Sequence, residues 1–303
     1  MLRSTLLYLA GHRRLRRWAE SSPVARRFTR RFVAGQTLED GLAVCARLNR
    51  EGILATLDHL GENVTSAEEA AASRDAYLAA LDAIAERGLR ATVSIKLTHF
   101  GLDFSEEACR DYVTSVARRA RETSNAVEID MEASQYVDRT LRLVTELHEA
   151  FGCVRAVIQA YLRRSEADLR MLVGRSIPVR LCKGAYMEPA AVAFQGRRQI
   201  RANYLRLAEM LLAEGRQPAF ATHDERLIAA IIRRAGELGR NPDGLEFQML
   251  YGIRRSLQRR LAGQGFAVRL YVPYGVAWYP YLMRRLAERP VNLLFIAQNL
   301  LRR

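Results

Sequence analysis

Lysine is almost absent from this chain: of its 47 basic residues only Lys96 and Lys183 are lysines. Arginine therefore serves wherever a generic positive charge suffices, and those two positions are candidates for needing a compact amine on a flexible stem rather than a planar fork. Cysteine is scarce too. The four, at 45, 109, 153 and 182, have no C-x-x-C spacing and no histidine cluster beside them, which argues against a zinc or disulfide framework and for a reducing compartment. The five histidines form no H-E-x-x-H pattern, so no metal site is expected. No apolar run approaches the roughly 18 residues a spanning helix needs. The first such run, Ser4 to Gly11, is short and carries its cationic flank mainly after it, so it does not read as a secretory signal.

Acidic residues are missing from the amino end. Residues 1–33 hold nine arginines and a single acid, Glu20, a local charge of +8 within a chain total of +14. Such a field favours anionic partners, and nucleic acid, a membrane surface and anionic small molecules all remain open at this point. A basic amphipathic helix is the simplest account of the stretch, with a mitochondrial transit peptide as the alternative. With 49% hydrophobic and 26% charged residues over 303 positions, the chain has ample material for a core and is not disordered or fibrous.

From residue 40 onward, short apolar runs alternate with helical patterns. The runs are GILATLDHLG (52–61), ATVSIKLTHFG (91–101), AVEIDMEAS (126–134), VRAVIQAYL (154–162), IPVRLCKGAY (177–186), PAFATHD (218–224), LEFQMLYG (245–252) and VRLYVPYG (268–275). Each precedes a segment with apolar residues at three and four spacing, such as EEAAASRDAYLAALDAIAERG or DRTLRLVTELHEAFG, and Gly88, Gly152, Gly215 and Gly239 sit where such helices should end. Eight strand-helix units without a linker predict an α/β chain folded as one (βα)8 barrel over residues 41–303, with residues 1–40 as a basic helical appendage. A doubly wound sheet would carry a Gly-rich turn after its first strand, and DHLGENV is no G-x-G-x-x-G.

Barrel chemistry sits at the carboxyl ends of the strands. The polar residues there are Glu62, Lys96, Asp130, Gln159, Arg180, Lys183, His223 and Tyr271, and both lysines are among them. Charge is expected only at this end, because an unpaired charge buried at the bottom of the barrel would cost several kcal/mol. After the eighth strand, WYPYLMRRLAER places Tyr281, Arg284, Arg285 and Glu288 on one helix, where the first three can face the barrel mouth and the guanidinium pair suits a carboxylate.

Together SIKLTHFG, EIDMEAS, VIQAYLRR, VRLCKGAY, FATHD, EFQMLYG, LYVPYG and YLMRRLAERP closely resemble the proline dehydrogenase family, from RFVAGQTLEDG at residue 31 to the end of the chain. The length resembles the monofunctional members. The resemblance implies a distorted (βα)8 barrel holding FAD, oxidation of L-proline to Δ1-pyrroline-5-carboxylate by hydride transfer from ring C5 to flavin N5, and electron transfer to a membrane quinone. It implies that Arg284, Arg285 and Lys96 hold the proline carboxylate, with Asp130 orienting Lys96, and that Tyr271, Tyr281, Leu250 and Ala185 pack on the ring. Glu62 corresponds to a glutamate that pairs with the first arginine of the RR motif as a lid. Gln159, Arg180, Lys183, Gly184, Thr222, His223 and Glu288 correspond to flavin contacts.

Two positions depart from the family pattern: Arg197, in GRRQIRANY, stands where a lysine is usual, and Met187 where an aromatic or cationic residue is common. The amino-terminal charge and the apolar ending VNLLFIAQNLL suit peripheral docking on an anionic bilayer, which implies a cytoplasmic protein at the inner face of the cell membrane, or alternatively a mitochondrial one. On the residues alone two rivals stay open. One is another barrel enzyme using Lys96 or Lys183 as a Schiff base; the other is a nucleic-acid binder, although the basic excess is not interleaved with stacking aromatics.

Overall fold

The computed structural model describes residues 29–61, 64–279 and 281–283. The sequence-expected residues Glu62, Arg284, Arg285 and Glu288, residues 1–28 of the basic stretch and the apolar ending lie outside the described residues. Eight parallel strands follow the order of the chain and close on themselves: β1 (Leu54–His59), β2 (Ala91–Ile95), β3 (Val127–Ile129), β4 (Val154–Gln159), β5 (Val179–Cys182), β6 (Ala219–Ala221), β7 (Glu246–Leu250) and β8 (Ala267–Tyr274). Each apolar run of the sequence coincides with one of them, β8 starting one residue ahead of its run, at Ala267.

The closure is uneven. β1 runs beside β8 over its whole length, Leu54–His59 against Arg269–Tyr274, whereas β5 and β6 meet only at Arg180–Leu181 and Ala219–Phe220. Helix α1 (Leu38–Arg50) precedes the first strand and begins with a reciprocal cap, in which the Asp40 amide donates to the Thr37 hydroxyl and Asp40 accepts from the Thr37 amide. α1 packs on both β1 and β8. It thus fills the outer slot that the helix following β8 occupies in a regular barrel, and the described residues after β8, 275–279 and 281–283, run over the strand ends. There Trp278, Tyr279 and Tyr281 form a second apolar cluster with Phe32, Val33, Leu60 and Ile253, with Leu250 packed against it.

The covering helices are α2 (Ala67–Glu86), α3 (Glu106–Glu122), α4 (Val137–Phe151), α5 (Ser165–Gly174), α6 (Arg197–Glu214), α7 (Glu225–Glu237) and α8 (Arg255–Gly263). Ser66, Ser105 and Asp224 cap α2, α3 and α7 through side-chain oxygens, and α4 ends on Gly152 in the left-handed region.

The outward face of the strands is apolar as in an ordinary barrel, and the departure lies in the interior. The outward residues Leu57, Val93, Ile95, Val127, Ile129, Val179, Phe247 and Leu270 are all buried under the helices, each worth about 1.5–3 kcal/mol for a large side chain. Many of the inward ones are polar: side chains on strands that are not neighbours touch across the lumen, Arg155 of β4 with Glu246 of β7 at 2.7 Å, Gln248 of β7 with Glu128 of β3 at 2.8 Å, and Arg269 of β8 with Thr92 of β2 at 3.2 Å. Contacts of that kind are possible only through the interior. The expectation that the barrel bottom carries no charge is therefore wrong, and the reason is pairing. Arg155 and Arg269 share Glu246, Arg155 also reaches Glu128 at 3.1 Å, and Arg180 is held by Glu128 above them.

Burial alone would raise the Glu246 carboxyl, but Arg269 and Arg155 outweigh it and hold the group at about 2, against an ordinary 4.5. A carboxyl depressed in the folded state stabilises the fold fully above its unfolded value and loses that contribution as pH falls through the folded one. Glu246 should thus contribute about 3 kcal/mol at neutral pH, lost between roughly pH 4.5 and 2. Glu246→Gln is expected to lower Tm at pH 7 and to flatten its fall across that window. An acid-melting slope identical to that of the unsubstituted protein would contradict the paired-interior account.

Candidate active site

Five strands, β1, β2, β3, β5 and β8, supply one connected cage at the barrel mouth. Asp130, just past β3, accepts from the Ser94 hydroxyl and the Tyr271 phenol, each at 2.8 Å, and from the Arg180 guanidinium. Lys96 follows β2 at the start of a tight turn, Leu97–Phe100, which aims its side chain back over the lumen. Its ammonium donates to Asp58 at 3.0 Å and to the Tyr271 oxygen at 3.2 Å and lies 3.7 Å from Asp130. Lys96 is 9% exposed and Arg180 5%, so this charge is fixed in a poorly hydrated place. Both cations also lie over the Tyr271 ring, at 5.9 and 5.6 Å from its centroid.

The electrostatics follow from burial and pairing. Burial would raise Asp130, but Arg180 and Lys96, with the Tyr271 and Ser94 hydrogen bonds, hold it below its ordinary value. Burial first, then Asp130 and Asp58, push the Tyr271 phenol well above its usual range, so it stays a donor. An amine set between two carboxylates is held as ammonium, which is the opposite of what a Schiff-base lysine requires.

A second group of polar side chains lines the ends of β4, β5 and β6. Gln159 is buried and donates to the Glu132 carbonyl at 2.8 Å. Lys183 and Arg201 both reach Asp224, at 3.0 and 3.1 Å, and Asp224 in turn caps α7. Buried Thr222 accepts from the Asp224 amide, and His223 accepts the Leu250 amide on Nε2, which puts its ring proton on Nδ1. Gly184 is required by its neighbours: its φ is 102°, and a Cβ there would lie 2.1 Å from the Tyr161 ring. Ala185, Met187 and Arg197 are exposed nearby. Among the described residues no cluster of His, Cys, Asp and Glu could hold a metal ion, all four cysteines are free, and no helix is long and apolar enough to cross a membrane.

A proline dehydrogenase family model matches residues 42–298. The chain belongs to that family. It is 40% identical over 303 residues to proline dehydrogenase 1 of Bacillus subtilis (strain 168), covering 100% of both chains. It is also 40% identical to the proline dehydrogenase of Deinococcus radiodurans over 278 residues, 90% of this chain and 89% of that one. Among solved structures it resembles proline utilization A of Bdellovibrio bacteriovorus inactivated by N-propargylglycine, with a TM-score of 0.81 and 28% identity. That match covers 86% of this chain and 32% of the other, so the chain spans about a third of that longer protein. The proline dehydrogenase barrel is thus the barrel described above.

Of the sequence-expected residues, the structure brings Lys96, Asp130, Tyr271 and Arg180 into one cage, sets Leu250 with Tyr281 in one apolar cluster, and gathers Lys183, Thr222 and His223 around the β5 and β6 ends. Arg180, expected beside the cofactor, spends its donors on Glu128, Gln248, Ser94 and Asp130. Sequence reasoning missed Asp58, Ser94, Glu128, Gln248, Arg201 and Asp224. A usable signal existed for four of these, since Asp58, Ser94, Glu128 and Gln248 each sit one step out of phase with the apolar residues of their strand.

Proposed function

We propose that this chain is an FAD-dependent proline dehydrogenase, which oxidises L-proline to Δ1-pyrroline-5-carboxylate, the first step of proline catabolism to glutamate, and passes the electrons to a membrane quinone. The observation that carries the reading is the cage of Lys96, Tyr271 and Asp130: a buried, fixed ammonium at the mouth of the barrel, in a chain whose full-length relatives are named proline dehydrogenases.

The donor set fits FAD. α6 opens on Arg197 and Arg198 with no acid in its first turn, unlike α1 to α5 and α7, so its positive end suits the flavin's pyrophosphate. Lys183 and Arg201 add cationic donors, Gly184 admits close backbone approach, and Gln159, Thr222 and His223 supply neutral polar contacts. By the family motif Glu288 completes this set. FAD held there supplies the acceptor for the hydride leaving ring C5. The protein's own part is positioning. Lys96 neutralises one end of the carboxylate, and by the family motif Arg284 and Arg285 take the rest, with Glu62 pairing across them as a lid. Asp130, held by Ser94, Tyr271 and Arg180, cannot drift from Lys96. Tyr271, tied through its hydroxyl, offers its ring edge as a wall, and Leu250, Tyr281 and Ala185 supply apolar surface for the pyrrolidine.

Lys183→Arg tests the cofactor assignment. The larger planar head cannot keep the same contact with Asp224, which Arg201 already shares, so FAD content per chain should fall or the flavin absorption should shift. Full occupancy with an unchanged spectrum would remove Lys183 from the flavin site. The function itself is tested by L-proline-dependent reduction of a soluble quinone analogue by the FAD-loaded protein. Loaded protein that reduces the quinone no faster with L-proline than without it would reject the reading. Peripheral contact with the inner face of the cell membrane rests on the basic amino end and calls for co-sedimentation with anionic but not neutral vesicles.

A further inference from the structure

We propose that Asp58, on β1, is a positioning residue that holds the Lys96 ammonium at the height in the barrel where it meets the substrate carboxylate. The inference rests on the proline dehydrogenase reading and adds a residue to it. Asp58 is 1% exposed and is, among the described residues, the nearer of the two carboxylates paired with Lys96, at 3.0 Å against 3.7 Å for Asp130. Asp130 is already engaged by Arg180, Ser94 and Tyr271, so it has little capacity left for a second cation. Asp58 is in the reverse position. Its Oδ1 accepts from Lys96, with the Tyr77 hydroxyl at 3.5 Å spending its better bond, 2.9 Å, on the Ser94 carbonyl. Its Oδ2 is buried and has no hydrogen-bond partner among the described residues.

A buried carboxylate with one bare oxygen is costly, and asparagine or leucine would fill the same space without that cost. What only the carboxylate provides is a second pole for the ammonium. Without it, Asp130 is the carboxylate that remains beside Lys96 among the described residues, and the ammonium swings toward it, into competition with Arg180 and Tyr271 and away from an incoming carboxylate. The groups facing Lys96 are then Asp130 from beyond β3, Tyr271 from β8 and Tyr77 from α2, with Arg180 of β5, His59 and His99 as the surrounding titratable and charged groups.

The test is Asp58→Asn in the FAD-loaded full chain, with a double-mutant cycle against Lys96→Met. The expected result is normal FAD content, KM for L-proline raised about tenfold or more with kcat changed much less, and an alkaline limb of kcat/KM moved to lower pH, because the ammonium has lost a carboxylate neighbour. In the Lys96→Met background the same substitution should leave KM unmoved, since a residue acting through Lys96 has nothing left to position. Unchanged KM and pH profile in Asp58→Asn would overturn the proposal, as would an equal KM penalty with and without Lys96. Should Asp58→Asn fail to load FAD, Asp58→Glu keeps the charge but displaces it by a methylene, and wild-type KM in that variant would equally overturn it. If the unsubstituted protein shows no proline-dependent turnover, the functional reading fails instead, and the two outcomes are distinct.

Discussion

Arg180→Met is expected to destabilise the fold by about 3–5 kcal/mol, the usual penalty for removing one partner from a buried ionic group. The guanidinium joins Glu128 below to Asp130 above and is also bonded to Gln248 at 3.2 Å and Ser94 at 3.2 Å, so its loss takes a cation from two lumen carboxylates at once, leaving Glu128 with Arg155 and Asp130 with the more distant Lys96. Burial alone would lower the Arg180 pKa, but Glu128 and Asp130 outweigh it and raise it. Urea unfolding of the variant reads the loss directly, and adding Glu128→Gln should recover part of it because one carboxylate left short of a cation is removed. A loss under about 1 kcal/mol would show that the lumen is hydrated enough to tolerate single charges.

Lys96→Arg should leave the charge and the fold in place and cost at least tenfold in kcat/KM for L-proline, about 1.4 kcal/mol of transition-state stabilisation, with FAD content retained. The ammonium is a point held 3.0 Å from Asp58 and 3.2 Å from the Tyr271 oxygen in a side chain that is 11% exposed. A guanidinium is larger and planar, and it would reach past that point or turn its fork onto Asp58 and Asp130 together. Steady-state kinetics with FAD stoichiometry measures the effect, and near-normal kinetics would mean that the scarcity of lysine in this chain carries no functional information.

The strands, their order and the helices over them were legible in the sequence because each outward strand residue is apolar and each helix repeats at three and four spacing. The mouth was half legible. Lys96 stood out as one of two lysines, and Asp130 and Tyr271 as polar residues closing apolar strands. The interior ladder was not foreseen, since a charge inside a strand is expensive by itself and only its partner on another strand makes it affordable. Arg155, Glu246 and Arg269 find one another across the lumen, at sequence separations that no local pattern can reveal. The same holds for Asp58: within LATLDH it reads as the polar end of a strand, and its bond to Lys96 appears only once β1 and β2 are side by side. The placement of α1 ahead of β1, in the slot that a helix after β8 would fill, is likewise a matter of three-dimensional packing.

The most direct test of the account is an anaerobic titration of the purified, FAD-loaded protein with L-proline, followed by visible absorption. If the cage at Lys96 and the polar ledge over β4 to β6 are a proline site and a flavin site facing each other, the oxidised flavin band should bleach as proline is added, without any other reductant. A protein that holds FAD but keeps its oxidised spectrum at saturating L-proline would contradict the assignment of this barrel to proline oxidation.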